Sequence, residues 1–380
     1  MSFIPGETLL GKYKIVKWLG QGPFSDAYQV EHITQRIART LKIVRKSPSN
    51  LVSSMTENIQ DRFQMELTLR KRLDSTRYQA HFIQVFDFHL SSDLIVLERE
   101  YAPSGSLSDF LRVCERSGTR LPLATVLNLA LDVAEGLAIL HTHNMVYLNL
   151  KPSNVLFDAS RTPKLSDLYL ARDSTESLSG SSVPRTIYLG KSSYQSPEMK
   201  NPKHNITPPS DIYSLGLILF ELLTGNKYTE LKPNSSLQDL RPDIPIWLNE
   251  LAYRMLAHDP QNRPWDGAVV AARLRADLES LPDEPQLGVG KVIGEENLVR
   301  SITELSLSNS PPSNESREDN DLLKTPISIP KVSSTKARVP AWKLLLQMLA
   351  AMLRQPAFVA LLAVLLVIAC WVLYEILMVK

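Results

Sequence analysis

The stretch MVYLNLKPSNVLF, residues 145–157, brings Asn149, Lys151 and Asn154 close together, a set that can hold a polar or anionic group. An amide such as Asn149 can orient a hydroxyl through its carbonyl oxygen, but it has no negative charge and no useful basicity. Asp167, in KLSDLYLAR, follows with a carboxylate. Upstream, ARTLKIV sets Lys42 between Leu41 and Ile43 in a strand that reads as buried. A buried ammonium is costly unless an anion meets it, and Glu66 in RFQMELTLRKRL stands on the next helical stretch. In LGQGPFSDAY, Gly20 and Gly22 allow a tight backbone turn, which by itself an ordinary hairpin would explain.

These residues need elements to position them. Tyr13–Leu19, Ala27–Glu31, Arg39–Val44 and Leu94–Glu100 are short runs rich in Val, Ile, Leu and aromatics, which predicts strands. Arg62–Leu73 has helical periodicity, with Phe63, Leu67, Leu69 and Leu73 on its apolar side. From Leu107 the pattern turns mostly helical, with helices predicted over Leu123–His141, Ile212–Leu223, Trp247–Leu256 and Gly267–Leu281. A small β-rich part followed by a larger helical part is an α+β order.

Composition narrows the class. With 44% hydrophobic residues in 380, the chain can build a substantial core. A net charge of +2 gives no reason to expect nucleic acid as a partner. Its two cysteines, Cys114 and Cys370, offer no disulfide framework or thiolate metal site. Residues 282–340 gather Pro, Ser, Asn and mixed charge without apolar period, as in SNSPPSNESREDN, which predicts a solvated linker. Ala357–Tyr374 is then an unbroken run of 18 apolar residues. About 20 such residues span a hydrocarbon core, so the run reads as a transmembrane helix. Lys336, Arg338, Lys343 and Arg354 precede it and only Lys380 follows, which predicts a cytoplasmic location for the preceding residues.

Taken in order, the motifs from residue 13 to about 280 resemble a protein kinase domain of the bacterial serine/threonine type. The resemblance implies a bilobal fold, a small β-rich lobe and a larger helical one, with ATP and Mg²⁺ as cofactors. It gives Gly20 and Gly22 to the phosphate-covering loop, and Lys42 to the α/β-phosphates with Glu66 as its ion-pair partner. It makes Glu100 and Ala102 the adenine-facing hinge, Lys151 a neutraliser of phosphate charge, and Asn154 and Asp167 the metal ligands.

The departures fall on the transfer chemistry. Asn149 stands at the catalytic aspartate, Tyr147-Leu148 replace the His-Arg before it, and Tyr169 replaces the glycine of Asp-Phe-Gly. Ser25 replaces the loop's third glycine, and Lys191 a threonine that bonds the aspartate in active enzymes. Arg99 falls where a mid-sized apolar residue usually guards the pocket, able to block adenine in part or to salt-bridge inward. Scaffold positions match the family: Glu198 with Arg263, and Asp211 bracing the catalytic loop.

The expected organisation is a kinase-like domain over 1–280, a Pro/Ser-rich linker over 281–340, a juxtamembrane amphipathic segment over 341–355 and a transmembrane helix over 356–379. The first expectation is a membrane-anchored pseudokinase that binds Mg-ATP and works with a protein partner as scaffold or allosteric regulator. The alternatives are an atypical active serine/threonine kinase and a scaffold that binds no nucleotide.

Overall fold

In a computed structural model, the structure describes residues 3–22, 25–45, 50–73, 75–173, 192–201, 205–228 and 237–279. The predicted linker, juxtamembrane segment and transmembrane helix, together with Lys191, lie outside the described residues.

The first part of the chain is one antiparallel sheet. Its strands are β1 (Thr8–Leu9), β2 (Tyr13–Gln21), β3 (Asp26–His32), β4 (Ile37–Arg45), β5 (Val85–Leu90) and β6 (Leu94–Glu100), in the spatial order β1-β2-β3-β4-β6-β5. Side chains alternate between faces along a strand, so each face gathers its own apolar set. Tyr13, Ile15, Tyr28, Val30, Leu41, Ile43 and Val96 make one cluster. Val44, Val85, Ile95 and Leu97 make another, closed by Ile59 and Phe63 from helix α1 (Asn50–Arg72). α1 begins at Asn50, well before the apolar pattern read from Arg62, and Ile59 and Phe63 dock it on the sheet. The sequence reading gave no strand at Val85–Leu90, where VFDFHL mixes Asp and His into the run; pairing to β6 forms it.

A short helix α2 (Ser75–His81) precedes β5, and the helical part follows β6: α3 (Leu107–Ser117), α4 (Leu123–Thr142), α5 (Pro209–Thr224), α6 (Leu237–Leu240), α7 (Ile246–Met255) and α8 (Gly267–Leu278). α3 starts on a capping box in which Ser106 accepts from the Asp109 N–H and Asp109 accepts from the Ser106 N–H. α4 is apolar enough in length and composition to cross a membrane, but most of it is buried within the protein. It serves as the central core helix, packed by α5 and α8. α8 approaches α4 so closely that a Cβ at Gly267 would stand 2.5 Å from the Ala134 carbonyl oxygen. Two hairpin strands, β8 (Val155–Phe157) and β9 (Pro163–Leu165), and a shorter pair, β7 (Met145–Val146) with β10 (Arg172–Asp173), carry the loops between α4 and α5.

The predicted Glu198–Arg263 pair is present and almost fully enclosed, with side chains 2% and 0% exposed. Arg263 donates to Glu198 Oε1 at 2.6 Å and Oε2 at 2.9 Å, and also to the carbonyls of Ala257, Pro209 and His258. Ser210 Oγ donates a further bond to Glu198 at 2.7 Å. Removing one member of such a pair strands a buried charge, so Arg263→Met is expected to lower stability by ~3–5 kcal/mol in urea denaturation.

Candidate functional site

The site lies where β4, β6 and α1 meet the loops after β7 and β9. Lys42 sits on β4 opposite Leu97 of β6, and Arg99 two residues further along β6 faces Thr40 on one side and Val85 on the other. A short 3₁₀ turn, Leu168–Leu170, starts at Asp167, whose backbone is left-handed at φ 61°, ψ 51°. This conformation is uncommon for a residue with a side chain but readily visited by Asp.

Asp167 is the centre of charge. Lys42 Nζ lies 2.5 Å from Asp167 Oδ1, and Arg99 Nη1 donates to the same oxygen. Their side chains are 11%, 4% and 11% exposed for Lys42, Arg99 and Asp167, so water screens the group poorly. Burial alone would push the Asp167 carboxyl upward, but the two cations hold it well below the usual carboxylate range. Burial likewise works against the Arg99 charge, and Asp167 and Glu66 more than offset it.

The expected Lys42–Glu66 ion pair is replaced by Lys42–Asp167. Glu66 is buried, and mainly for that reason its carboxyl is pushed up to about 7 despite Arg99 and Lys42 nearby. It accepts the backbone N–H of Leu168, while its Oε2 has no hydrogen-bond partner. A carboxyl only partly ionised near neutral pH is a weaker partner for an ammonium than the fully ionised Asp167.

The loop after β7 is held from below. Asp211, at the start of α5, accepts the backbone N–H of Tyr147 at 2.7 Å and of Leu148 at 2.8 Å. Behind it, the Gly267 N–H donates to His141 Nδ1 at 3.0 Å, so the proton of a neutral imidazole sits on Nε2, 3.0 Å from Asp211. His141 escaped the sequence reading because a lone histidine in a helical run carries no motif. The Tyr147 hydroxyl donates to the Ser166 carbonyl, tying the loop to the residue before Asp167.

Asn149, Leu148 and Tyr169 each make a specific contact. Asn149 Nδ2 donates to the Asp167 carbonyl oxygen at 3.1 Å, a bond that a carboxylate could not make. Asn154 Nδ2 in turn donates to the Asn149 carbonyl at 2.8 Å. Leu148, at φ 64°, packs with Val146, Leu170, Met199 and Ile206, so an apolar contact occupies the place of a cation. Tyr169 packs against that cluster and also against the sheet–α1 cluster. Its ring meets Phe63 of α1 edge-on at 5.9 Å, and Lys42 Nζ lies 5.5 Å from it.

Of the remaining predicted residues, Gly20 lies near the end of β2 with φ 155°, and Gly22 opens the β2–β3 turn, its N–H bonding the Ser25 carbonyl at 2.7 Å. Glu100 bonds Lys164 through its side chain at 2.9 Å and sits with Ala102 where the sheet hands over to the helices. Lys151 is half-buried just before the 3₁₀ turn Pro152–Asn154.

As a divalent-metal site this donor set is poor. Asp167 Oδ1 already takes two cations, Asn149 is neutral, and Asn154, whose nitrogen donates to a carbonyl, has only an uncharged amide oxygen to offer. Among the described residues, no cluster of three or more His, Cys, Asp or Glu could hold a metal. Mg²⁺ is bound through one or two carboxylates and substrate phosphates, and here the carboxylate of Asp167 is already shared by two buried cations, so the arrangement suits it poorly. Asp167→Asn leaves two buried cations uncompensated and is expected to cost ~3–5 kcal/mol in chemical denaturation. Arg99→Met, which keeps the Lys42–Asp167 pair and removes a like-charge neighbour, is expected to cost clearly less.

Comparison with known proteins agrees with the geometry. The protein kinase domain family matches residues 13–265. The serine/threonine-protein kinase PBL13 of Arabidopsis thaliana is 30% identical over 242 residues, 56% of this chain and 48% of that protein. The Corynebacterium efficiens serine/threonine-protein kinase drp72 is 27% identical over 300 residues, 73% of this chain and 54% of that protein. The chain thus spans about half the length of these curated relatives. The crystal structure of a mutant of the Mycobacterium tuberculosis PknI kinase domain superposes with a TM-score of 0.53 at 21% identity. It covers 73% of this chain and 99% of that one, which shows a shared fold. Kinase folds in general use ATP and Mg²⁺. With a β-sheet lobe, a helical lobe, and the family match spanning most of the described residues, this chain belongs to the protein kinase family.

Proposed function

We propose that this chain is a pseudokinase that binds an adenine nucleotide and acts by interaction or conformational regulation, held at a membrane by its C-terminal apolar run. The observation that carries the reading is the contact of Asn149 with the Asp167 carbonyl. The residue at the position of the catalytic base spends its polar group on bracing the backbone and has no basicity to offer. Positioned acid–base groups contribute ~10²–10⁴-fold, so transfer by this chain should be slower by about that factor. Leu148 in an apolar cluster and Tyr169 joining two clusters support a loop kept in one pose. Binding is supported by Lys42 and Arg99, which bring two cations together in one buried site.

An atypical active serine/threonine kinase is the second reading, favoured by Lys42 and Asp167 meeting in one site. Phosphoryl transfer relies mostly on positioning and electrostatics, so such a site is not without catalytic potential.

Transfer of labelled γ-phosphate from ATP, to the chain itself and to general protein substrates, separates the two. The pseudokinase reading expects no transfer above that of Asp167→Ala, and little gain from Asn149→Asp alone, since the new carboxylate would face a carbonyl oxygen. Robust transfer by the unmodified chain, lost in Asp167→Ala, contradicts it. The anchor rests on the 18-residue apolar run Ala357–Tyr374. Alkaline carbonate washing of membranes from expressing cells should leave the full chain in the pellet, and its release into the wash would argue against a span.

A further inference from the structure

We infer that Arg99 takes the place of the divalent cation beside Asp167, so that the pocket accepts a nucleoside di- or triphosphate free of metal. The inference rests on the nucleotide-binding reading above and adds the metal requirement to it.

The argument starts from position. Arg99 lies on β6 with pairing partners on both sides, Thr40 of β4 and Val85 of β5, so its backbone is fixed by two neighbouring strands. The side chain is 4% exposed and turns inward to Asp167. A guanidinium does not lose its proton in a protein, so this positive charge is permanent. It shares Asp167 Oδ1 with Lys42, and one carboxylate thereby answers two cations.

Charge decides what the site attracts. Lys42 and Arg99 bring two positive charges and Asp167 one negative; Glu66 is only partly ionised near neutral pH. A divalent ion entering here would have to share Asp167 with two cations and sit beside both. Besides Glu66, which is only partly ionised, neighbouring groups offer it no further carboxylate: Asn149 and Asn154 are neutral amides whose nitrogens donate to carbonyl oxygens. An anion meets the opposite situation: phosphate oxygens would relieve the repulsion between Lys42 and Arg99 while Asp167 keeps them aligned.

Two buried atoms show that the present pairing is not the one that satisfies every group. Arg99 Nε, a donor, and Glu66 Oε2, an acceptor, both lack hydrogen-bond partners. Buried polar atoms are seldom left so. Arg99 is thus left with an unused donor in the same pocket, beyond the contact to Asp167.

The test is the melting temperature of the full chain with ATP, once with excess EDTA and once with Mg²⁺, since a ligand that binds the folded state raises it by linkage. The expected result is the same rise in both, with Mg²⁺ alone giving none. In Arg99→Met, ATP affinity should become Mg²⁺-dependent by about tenfold or more, corresponding to ~1.4 kcal/mol. A rise seen in the unmodified chain only with Mg²⁺ overturns the inference and leaves nucleotide binding standing. No rise in either condition overturns nucleotide binding itself, and the inference with it. The two arms on the unmodified chain decide the question even if Arg99→Met does not fold.

Discussion

One carboxylate, Asp167, answers two buried cations, and the rest of the site is arranged around that constraint. Lys42 reaches it from the sheet, Arg99 from the strand leading to the helical part, and the turn that presents it is left-handed at Asp167 itself. Groups behind the turn hold its backbone: Tyr147 on the Ser166 carbonyl, Asn149 on the Asp167 carbonyl, and Ser166 bonded twice to the Asn154 carbonyl. In a buried site such a set is strongly favourable only while every charge stays matched. The sheet and the loop are therefore coupled through one side chain.

Behind this site lies a second layer with no charge transfer to perform. Asp211 takes two backbone N–H groups of the loop, His141 fixes Asp211, and the first residue of α8 fixes His141. That chain of bonds runs from α8 through α4 and α5 to the loop, and it is fully buried. It explains how the loop can keep its path while the residues on it change from His-Arg-Asp to Tyr147-Leu148-Asn149. The substituted side chains have found uses of their own: Tyr147 donates to a carbonyl, Leu148 fills an apolar cluster, and Asn149 braces the turn. These uses are structural, in keeping with a loop that positions more than it reacts.

Much of this was legible in the sequence because motifs in a fixed order specify a fold more firmly than any one of them. The strands at 13–21, 26–32, 37–45 and 94–100, and the helices from Leu123 onward, follow the apolar periodicity closely. Glu198–Arg263 and Asp211 were readable for the same reason. Partner choice within the site was not. The sequence reading pairs Lys42 with Glu66; that it meets Asp167 instead follows from the site, where burial leaves Glu66 partly protonated while Lys42 and Arg99 keep Asp167 ionised. Arg99 was visible as an anomaly with two outcomes, blocking or bridging inward; only its three-dimensional reach shows that it bridges to Asp167. Tyr169 was visible only as a side chain in place of a glycine; its position shows a ring that joins α1 to the loop.

The account depends on Arg99 and Asp167 acting as one unit, and a double-mutant cycle measures that directly. Arg99→Met, Asp167→Asn and the double variant are unfolded in denaturant alongside the unmodified chain, and the coupling energy is taken from the four stabilities. A buried charge pair in contact predicts a coupling of ~1.5 kcal/mol or more, with the double variant more stable than Asp167→Asn alone. Additive effects, with a coupling below ~0.5 kcal/mol, would contradict the pairing at the heart of the site.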